Sequence, residues 1–301
     1  MLPIASNRYN RPVTTLQFAC QNATSRSVRI NGLRLHLLEW GERGRPGLCL
    51  LHGGAAHAHW FDLIAPAFAD RFHVVALDQR GHGESEWPRP PAYTTEHFAA
   101  DIAGLLDALG WRHAAVVGHS MGGHNAMGFA AWHPDRVAAL VIADARPALP
   151  EDRLRRMRER GARPQRLHPT AEAAVAAFHL LPPDTVADPR FLGHLAEVGI
   201  VERPGGWTYR FDPACNQLRG PVDAWPLLPA ITAPTLLLRG DRSPIMTAEM
   251  AARMRVALPR ATYVEISGAW HHLTLDQPAA VARAIDEFLR RSWPAGEPRI
   301  S

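Results

Sequence analysis

The stretch Val116-Val117-Gly118-His119-Ser120-Met121-Gly122-Gly123 decides how the rest of this chain is read. An apolar run, Ala114 to Val117, ends in Gly-x-Ser-x-Gly, and a helix-compatible segment from His124 to Trp132 follows. That order has a physical meaning. A buried strand stops, the chain turns sharply, and the serine stands at the apex in a strained conformation. Gly118 and Gly122 leave room for the turn because they carry no Cβ. Ser120 is then expected to project into a cleft at the carboxyl end of a parallel sheet, with its back to a helix N-terminus. It is the candidate nucleophile.

Upstream, the alternation from Val28 to Trp40 around Asn31-Gly32 predicts a β-hairpin. Leu48-Cys49-Leu50-Leu51 predicts a short buried strand that ends at His52-Gly53-Gly54. A helix is expected over Trp60 to Ala69, then a strand from Phe72 to Leu77 running into Asp78-Gln79-Arg80-Gly81-His82-Gly83-Glu84-Ser85. A proline-rich loop, Trp87 to Pro91, precedes an amphipathic helix from Thr95 to Leu109, with Thr95 as its cap. Downstream, the strand Arg136 to Asp144 ends on an acid. Strands that alternate with helices in this way predict an α/β architecture with a doubly wound, mostly parallel sheet. From Arg146 to about Pro229 the alternation breaks into arginine-rich and alanine-rich helical stretches, proline breaks and a Gly205-Gly206-Trp207 turn. We expect a helical cap over 146–229, inserted into a core made of 1–145 and 230–301. The sheet resumes at Pro234 to Gly240, followed by a helix (Thr247 to Leu258), a strand (Thr262 to Ile266) and a last helix (Ala279 to Arg291). Residues 1 to about 23 are polar and irregular and are expected to form a loose arm.

Of 301 residues, 47% are apolar and 21% charged, which suits one sizeable globular domain with an inserted lobe. The 33 basic and 29 acidic residues leave a formal charge of +4, spread out except for Arg153, Arg155, Arg156, Arg158, Arg160 and Arg163. Glu151, Asp152 and Glu159 dilute that cluster, so it is read as a solvated helix face rather than an anion or nucleic-acid surface. Cys20, Cys49 and Cys215 lie far apart and are odd in number, which predicts neither a disulfide framework nor a zinc site. Met1 to Pro12 lacks a charged leader with an apolar stretch behind it, and no apolar run approaches the ~18 residues of a membrane span. A soluble, cytoplasmic protein with no membrane or nucleic-acid partner is expected; the oligomeric state is left open.

A serine hydroxyl is a weak nucleophile until a base takes its proton, and the base needs an acid to hold its tautomer and stabilise imidazolium. In this architecture the groups follow in the order Ser, acid, His, each on a loop at a strand's carboxyl end. His271 fits the base, since it follows the last core strand in Ser267-Gly268-Ala269-Trp270-His271. His272 is adjacent, but the position after the strand and the seven-residue step to Pro278 favour His271. His57, His59, His119 and His124 raise a metal hypothesis. Their spacing does not place a ligand set on one helix and no acidic cluster completes them, so they are read as pocket-lining or hydrogen-bonded histidines, with no metal or cofactor expected.

Four motifs together carry a family resemblance: His52-Gly53-Gly54, Asp78-x-Arg80-Gly81-His82-Gly83-x-Ser85, Gly118-His119-Ser120-Met121-Gly122-Gly123 and Gly268-Ala269-Trp270-His271. With them the chain, from about residue 27 to 291, resembles the α/β-hydrolase superfamily, in particular its cap-bearing esterase, lactonase and C–C hydrolase branch. The resemblance implies an acid at Gly-x-x-Asp after the seventh strand, but Gly240-Asp241-Arg242-Ser243 puts a serine in that slot. Asp241 lies two residues too early. A variation within the superfamily moves the acid to the end of the preceding core strand, where Asp144 stands; Asp144 is preferred and Asp241 remains the alternative. The implied oxyanion hole uses the backbone N–H of Met121 and that of Gly54, with Ala55 the neighbouring option. His52 and the Asp78–Ser85 motif are expected to be architectural, with Arg80 anchoring loops. The implied activity is a carboxylesterase-like serine hydrolase acting on a small ester through an acyl-enzyme. Lactone, amide and C–C bond hydrolysis stay open with the same triad, as does a small-molecule receptor on a hydrolase scaffold. Phe178, Leu180, Leu181, Phe191, Leu192, Trp207 and Trp225 either line an apolar substrate pocket or form the cap's own core.

Overall fold

Asn31-Gly32 turns β1 (Thr24–Ile30) into β2 (Leu33–Trp40), and both residues take the positive φ that a two-residue hairpin demands, 49° and 80°. The computed structural model describes residues 23–218 and 223–293. The loose arm expected at the N-terminus lies outside the described residues, as does Cys20. Beyond the hairpin come β3 (Gly47–Leu51), β4 (His73–Leu77), β5 (Ala114–His119), β6 (Val137–Ala143), β9 (Thr235–Gly240) and β10 (Ala261–Ile266). They form one eight-stranded sheet in the order β1-β2-β4-β3-β5-β6-β9-β10. The pairings β1–β2 and β2–β4 are antiparallel; all others are parallel.

The inner strands bury every residue because both faces of the sheet are covered. On one face Cys49, Val75, Val116 and Ile142 pack against α1 (Thr95–Ala108), α2 (Met121–Trp132) and α7 (Ala248–Ala257). On the other, Leu50, Ala76, Val117 and Val141 pack against α8 (Leu273–Asp276) and α9 (Pro278–Ser292). Cys49 is a core residue, and Cys215 is buried in the insertion.

Two local expectations change. Trp60 to Ala69 is not one helix but two single 3-10 turns, Ala58–Phe61 and Ala65–Phe68. Pro66 has no N–H to continue a helical ladder, so the chain closes in short turns and buries Trp60, Phe61 and Phe68 instead. The cap of α1 is Thr94 rather than Thr95, with His97 Nδ1 reaching back to the Thr94 N–H at 3.4 Å.

Between β6 and β9 the chain forms α3 (Glu151–Gly161), α4 (Ala171–Ala176), α5 (Pro189–Val198), β7 (Ile200–Arg203), β8 (Gly206–Tyr209) and α6 (Ala214–Gln217). This insertion carries a two-stranded antiparallel ribbon that the helical expectation did not contain: the glycine turn links β7 to β8. Phe191 and Leu195 of α5 join the same apolar cluster as the 3-10 turns, which seats the insertion on the core. Among the described residues no helix is long and apolar enough to cross a membrane.

Candidate active site

Register brings the strand ends together. Leu51 pairs with Gly118, His119 with Ala143, and Ala143 with Leu238, so β3, β5, β6 and β9 finish along one edge. Ser120 and Asp144 are the next residues after neighbouring strands, and both turn through positive φ, 53° and 47°. These are strained conformations for residues with a Cβ. They persist because the strand ladder continues into them: Ser120 N–H donates to Ala143 O at 3.0 Å and Asp144 N–H to Leu238 O at 2.8 Å. The turn after Ser120 is so close that a Cβ on Gly122 would collide with the Leu51 carbonyl.

The loop after β10 delivers His271 to the same edge. Its Nε2 lies 3.1 Å from Ser120 Oγ, and its Nδ1 lies 3.7 Å from Asp144 Oδ1. Asp144 is fully buried and His271 nearly so. Burial pushes the Asp144 carboxyl up to about 6, against hydrogen bonds that favour its charged form. Ser243 Oγ and Met246 N–H each donate to Asp144 Oδ1 at 2.9 Å. Thus Ser243, in the slot where an acid was expected, donates instead to Asp144, whose Oδ1 stands 3.7 Å from His271 Nδ1. Burial, followed by the fields of His272, Arg153 and Arg146, holds the His271 imidazole well below its ordinary value. Asp241 is not brought to this group; among the described residues it has no ion-pair partner.

Flanking histidines fix the loop. His119 Nε2–H donates to His271 O at 2.9 Å, and burial with the nearby His271 depresses its pKa to about 3. His272 is engaged elsewhere, its Nε2–H donating to Pro182 O at 3.0 Å. The oxyanion candidates converge: Gly54, Ala55 and Met121 line the cavity with Ser120, and Met121 opens α2, where the first N–H groups lack helical acceptors. Buried His52 shapes this turn by donating to Gly53 O at 2.7 Å and accepting from Gln79 N–H at 3.0 Å. Arg80 grips buried Asp101 through two 2.6 Å bonds, an anchoring role.

Comparison with known proteins identifies the family. The family profile described as alpha/beta hydrolase fold matches residues 46–278. This chain belongs to the α/β-hydrolase fold family. It is 30% identical over 274 residues to the 2-(acetamidomethylene)succinate hydrolase of Mesorhizobium japonicum, covering 90% of this chain and 97% of that one. It is 29% identical over 292 residues to epoxide hydrolase 4 of Mus musculus, covering 87% and 78%. The crystal structure of E-2-(acetamidomethylene)succinate hydrolase superposes with a TM-score of 0.79 at 29% identity, covering 89% of this chain and 99% of that one. The chain is a serine-type α/β-hydrolase.

In this α/β-hydrolase a cavity of about 330 Å³ opens over Ser120, walled by the core edge below and the insertion above. Phe178, Leu180 and Leu181 line it; Phe191 belongs to the buried core cluster, with Leu192 packed against it, and Trp225 packs on the far side of the sheet. The arginine cluster expected as a solvated face divides in two. Arg155 and Arg156 pair with Glu159 and Asp152, while Arg153 and Arg160 line the cavity with Arg146. The missed signal is spacing: Arg153, Met157 and Arg160 stand at i, i+4 and i+7, one face of α3.

The four histidines also separate. His57 Nε2–H donates to Leu195 O at 3.1 Å and His124 Nδ1–H to Arg146 O at 3.2 Å, while His119 and His124 line the cavity. His59 differs from its sequence reading, because an acid does join it. His59 Nδ1 and His194 Nε2, the latter from α5, lie 2.9 and 3.1 Å from Asp62 Oδ2, and the three groups offer ligand atoms within 4.8 Å of one another. The cluster ties the insertion to the core. Burial acts to raise the Asp62 pKa, but the hydrogen bonds from His194 and His59 outweigh it and hold the carboxylate low.

Proposed function

We propose that this α/β-hydrolase cleaves a small carboxylic ester through an acyl-enzyme on Ser120, with His271 as base and Asp144 as the acid behind it. The observation that carries the reading is the placement of one imidazole between hydroxyl and carboxylate, 3.1 Å from Ser120 Oγ and 3.7 Å from Asp144 Oδ1. His271 Nε2 takes the serine proton as Oγ attacks the carbonyl carbon. The N–H of Met121 and that of Gly54 or Ala55 receive the negative oxygen of the tetrahedral intermediate. The imidazolium gives its proton to the departing alkoxide, leaving the acyl group on Ser120. Water, deprotonated by the same nitrogen, then attacks the acyl carbon and releases the acid. Asp144, 3.7 Å from Nδ1, stabilises the imidazolium by its charge, and Ser243 holds Asp144. The segment 146–229 acts as the cap that selects the substrate.

The serine separates this chain from epoxide hydrolases, whose chemistry needs a carboxylate nucleophile. The same triad opens lactones, amides and C–C bonds, and the acetamido group in the named substrate of the Mesorhizobium relative keeps amides beside esters in the test panel. A fluorophosphonate should label Ser120 and no other residue, and p-nitrophenyl butyrate should be turned over many times per protein. Ser120→Ala should abolish both while leaving the circular dichroism unchanged. Full esterase activity in Ser120→Ala contradicts the mechanism, and labelling without repeated turnover favours the receptor reading.

A further inference from the structure

We infer that the substrate carries a carboxylate, which Arg153 and Arg160 hold at the cap side of the cavity while the scissile carbonyl lies at Ser120. This deepens the serine-hydrolase reading and rests on it for the second clause.

Three arginines and no aspartate or glutamate line the cavity. Arg153 is half-buried, and among the described residues no carboxylate stands within ion-pair distance of it or of Arg160. A guanidinium drawn partly out of water without a counter-charge is costly, and its side chain is seldom kept so unless a ligand supplies the anion. The neighbours sharpen the contrast. Arg155 and Arg156 of the same helix have acidic partners one turn away, whereas the two cavity-lining residues, half-buried Arg153 and exposed Arg160, have none among the described residues. Arg146 spends its N–H groups on two neutral carbonyls, Ile245 O at 2.7 Å and Pro244 O at 2.8 Å, and only the more distant fields of Asp144 and Asp152 favour its charge against burial. Burial and then the like charges of Arg146 and Arg160 disfavour the Arg153 cation. A carboxylate fits a guanidinium fork through two parallel hydrogen bonds and removes that repulsion.

The site also couples to the reaction. Arg153 and Arg146 both act against the imidazolium form of His271. A substrate carboxylate on Arg153 offsets that field when the ester is in place, so the anionic substrate makes His271 a stronger base than a neutral one does.

The test compares ethyl hydrogen succinate with its neutral isostere ethyl 4-methylpentanoate, followed by pH-stat at low salt. The wild type should favour the half-ester in kcat/KM. Arg153→Gln should reduce that ratio about 10- to 100-fold, the range for losing a charge-assisted hydrogen bond. Arg153→Lys should restore part of it, and Arg155→Gln on the outer face should leave it alone. A wild type that turns over the esters without favouring the half-ester, or a ratio unchanged in Arg153→Gln, overturns the inference. Calorimetry of ethyl hydrogen succinate with Ser120→Ala reads the anion site without the reaction. Binding weakened by added Arg153→Gln supports the site even where neither ester is turned over, an outcome that counts against the esterase reading alone. No binding, or equal binding with and without Arg153, overturns the anion site.

Discussion

Burial, followed by the fields of His272, Arg153 and Arg146, disfavours the imidazolium form of His271, and the proposed base role turns this into a pH dependence. A general base must be unprotonated, and a lowered pKa keeps it so to lower pH. The acid limb of kcat/KM for a neutral ester should therefore fall below pH 6.5, the ordinary imidazole value. Arg153→Gln removes a field that disfavours imidazolium, so the limb should move upward; a limb above 6.5 in the wild type, or one that moves down in Arg153→Gln, contradicts the electrostatics. Ser120 and His271, which the structure sets 3.1 Å apart, stood out in the sequence because each lies in its own local motif. The partnership of Ser243 with Asp144 was not: the residues are 99 apart in the chain, and only the adjacency of β6 and β9 brings them together. The sequence showed a serine in the slot where an acid was expected, but not that this serine would donate to Asp144.

Among elements, the turn from β5 into α2 is the most constrained. Gly122 approaches the Leu51 carbonyl of the neighbouring strand end so closely that no methyl fits. Gly122→Ala should cost roughly 1–3 kcal/mol, read from the urea midpoint, because neither backbone can give way without disturbing Ser120. A midpoint within error of the wild type would show that the elbow is looser than described. The hairpin, the strands and the long helices were legible because alternation, Asn-Gly and 3.6-residue periodicity are local signals. The 3-10 turns around Pro66 were not, since their form follows from packing Trp60, Phe61 and Phe68 as much as from sequence. Helix α3 was legible as a helix, but its inward arginines were hidden by acids that neutralise only the outer face.

At the scale of the molecule, a mostly parallel sheet covered on both faces lines up four strand ends, and the insertion adds both apolar side chains and arginines to the cavity over them. The alternation of strands and helices made that architecture legible, whereas the composition of the cavity depended on how the insertion settles on the core through Phe191, Leu195 and the His59–Asp62–His194 tie. The same register sets Asp144 Oδ1 3.7 Å from His271 Nδ1, which is the ground for proposing Asp144 rather than Asp241 as the acid. The most direct measurement is ester turnover by Asp144→Asn beside Asp241→Asn, with circular dichroism confirming the fold of each. Asp144→Asn should lose roughly 10³–10⁴-fold in kcat, the scale expected when a triad acid becomes an amide, and Asp241→Asn should stay within about threefold of wild type. Turnover lost in Asp241→Asn and retained in Asp144→Asn would contradict the account.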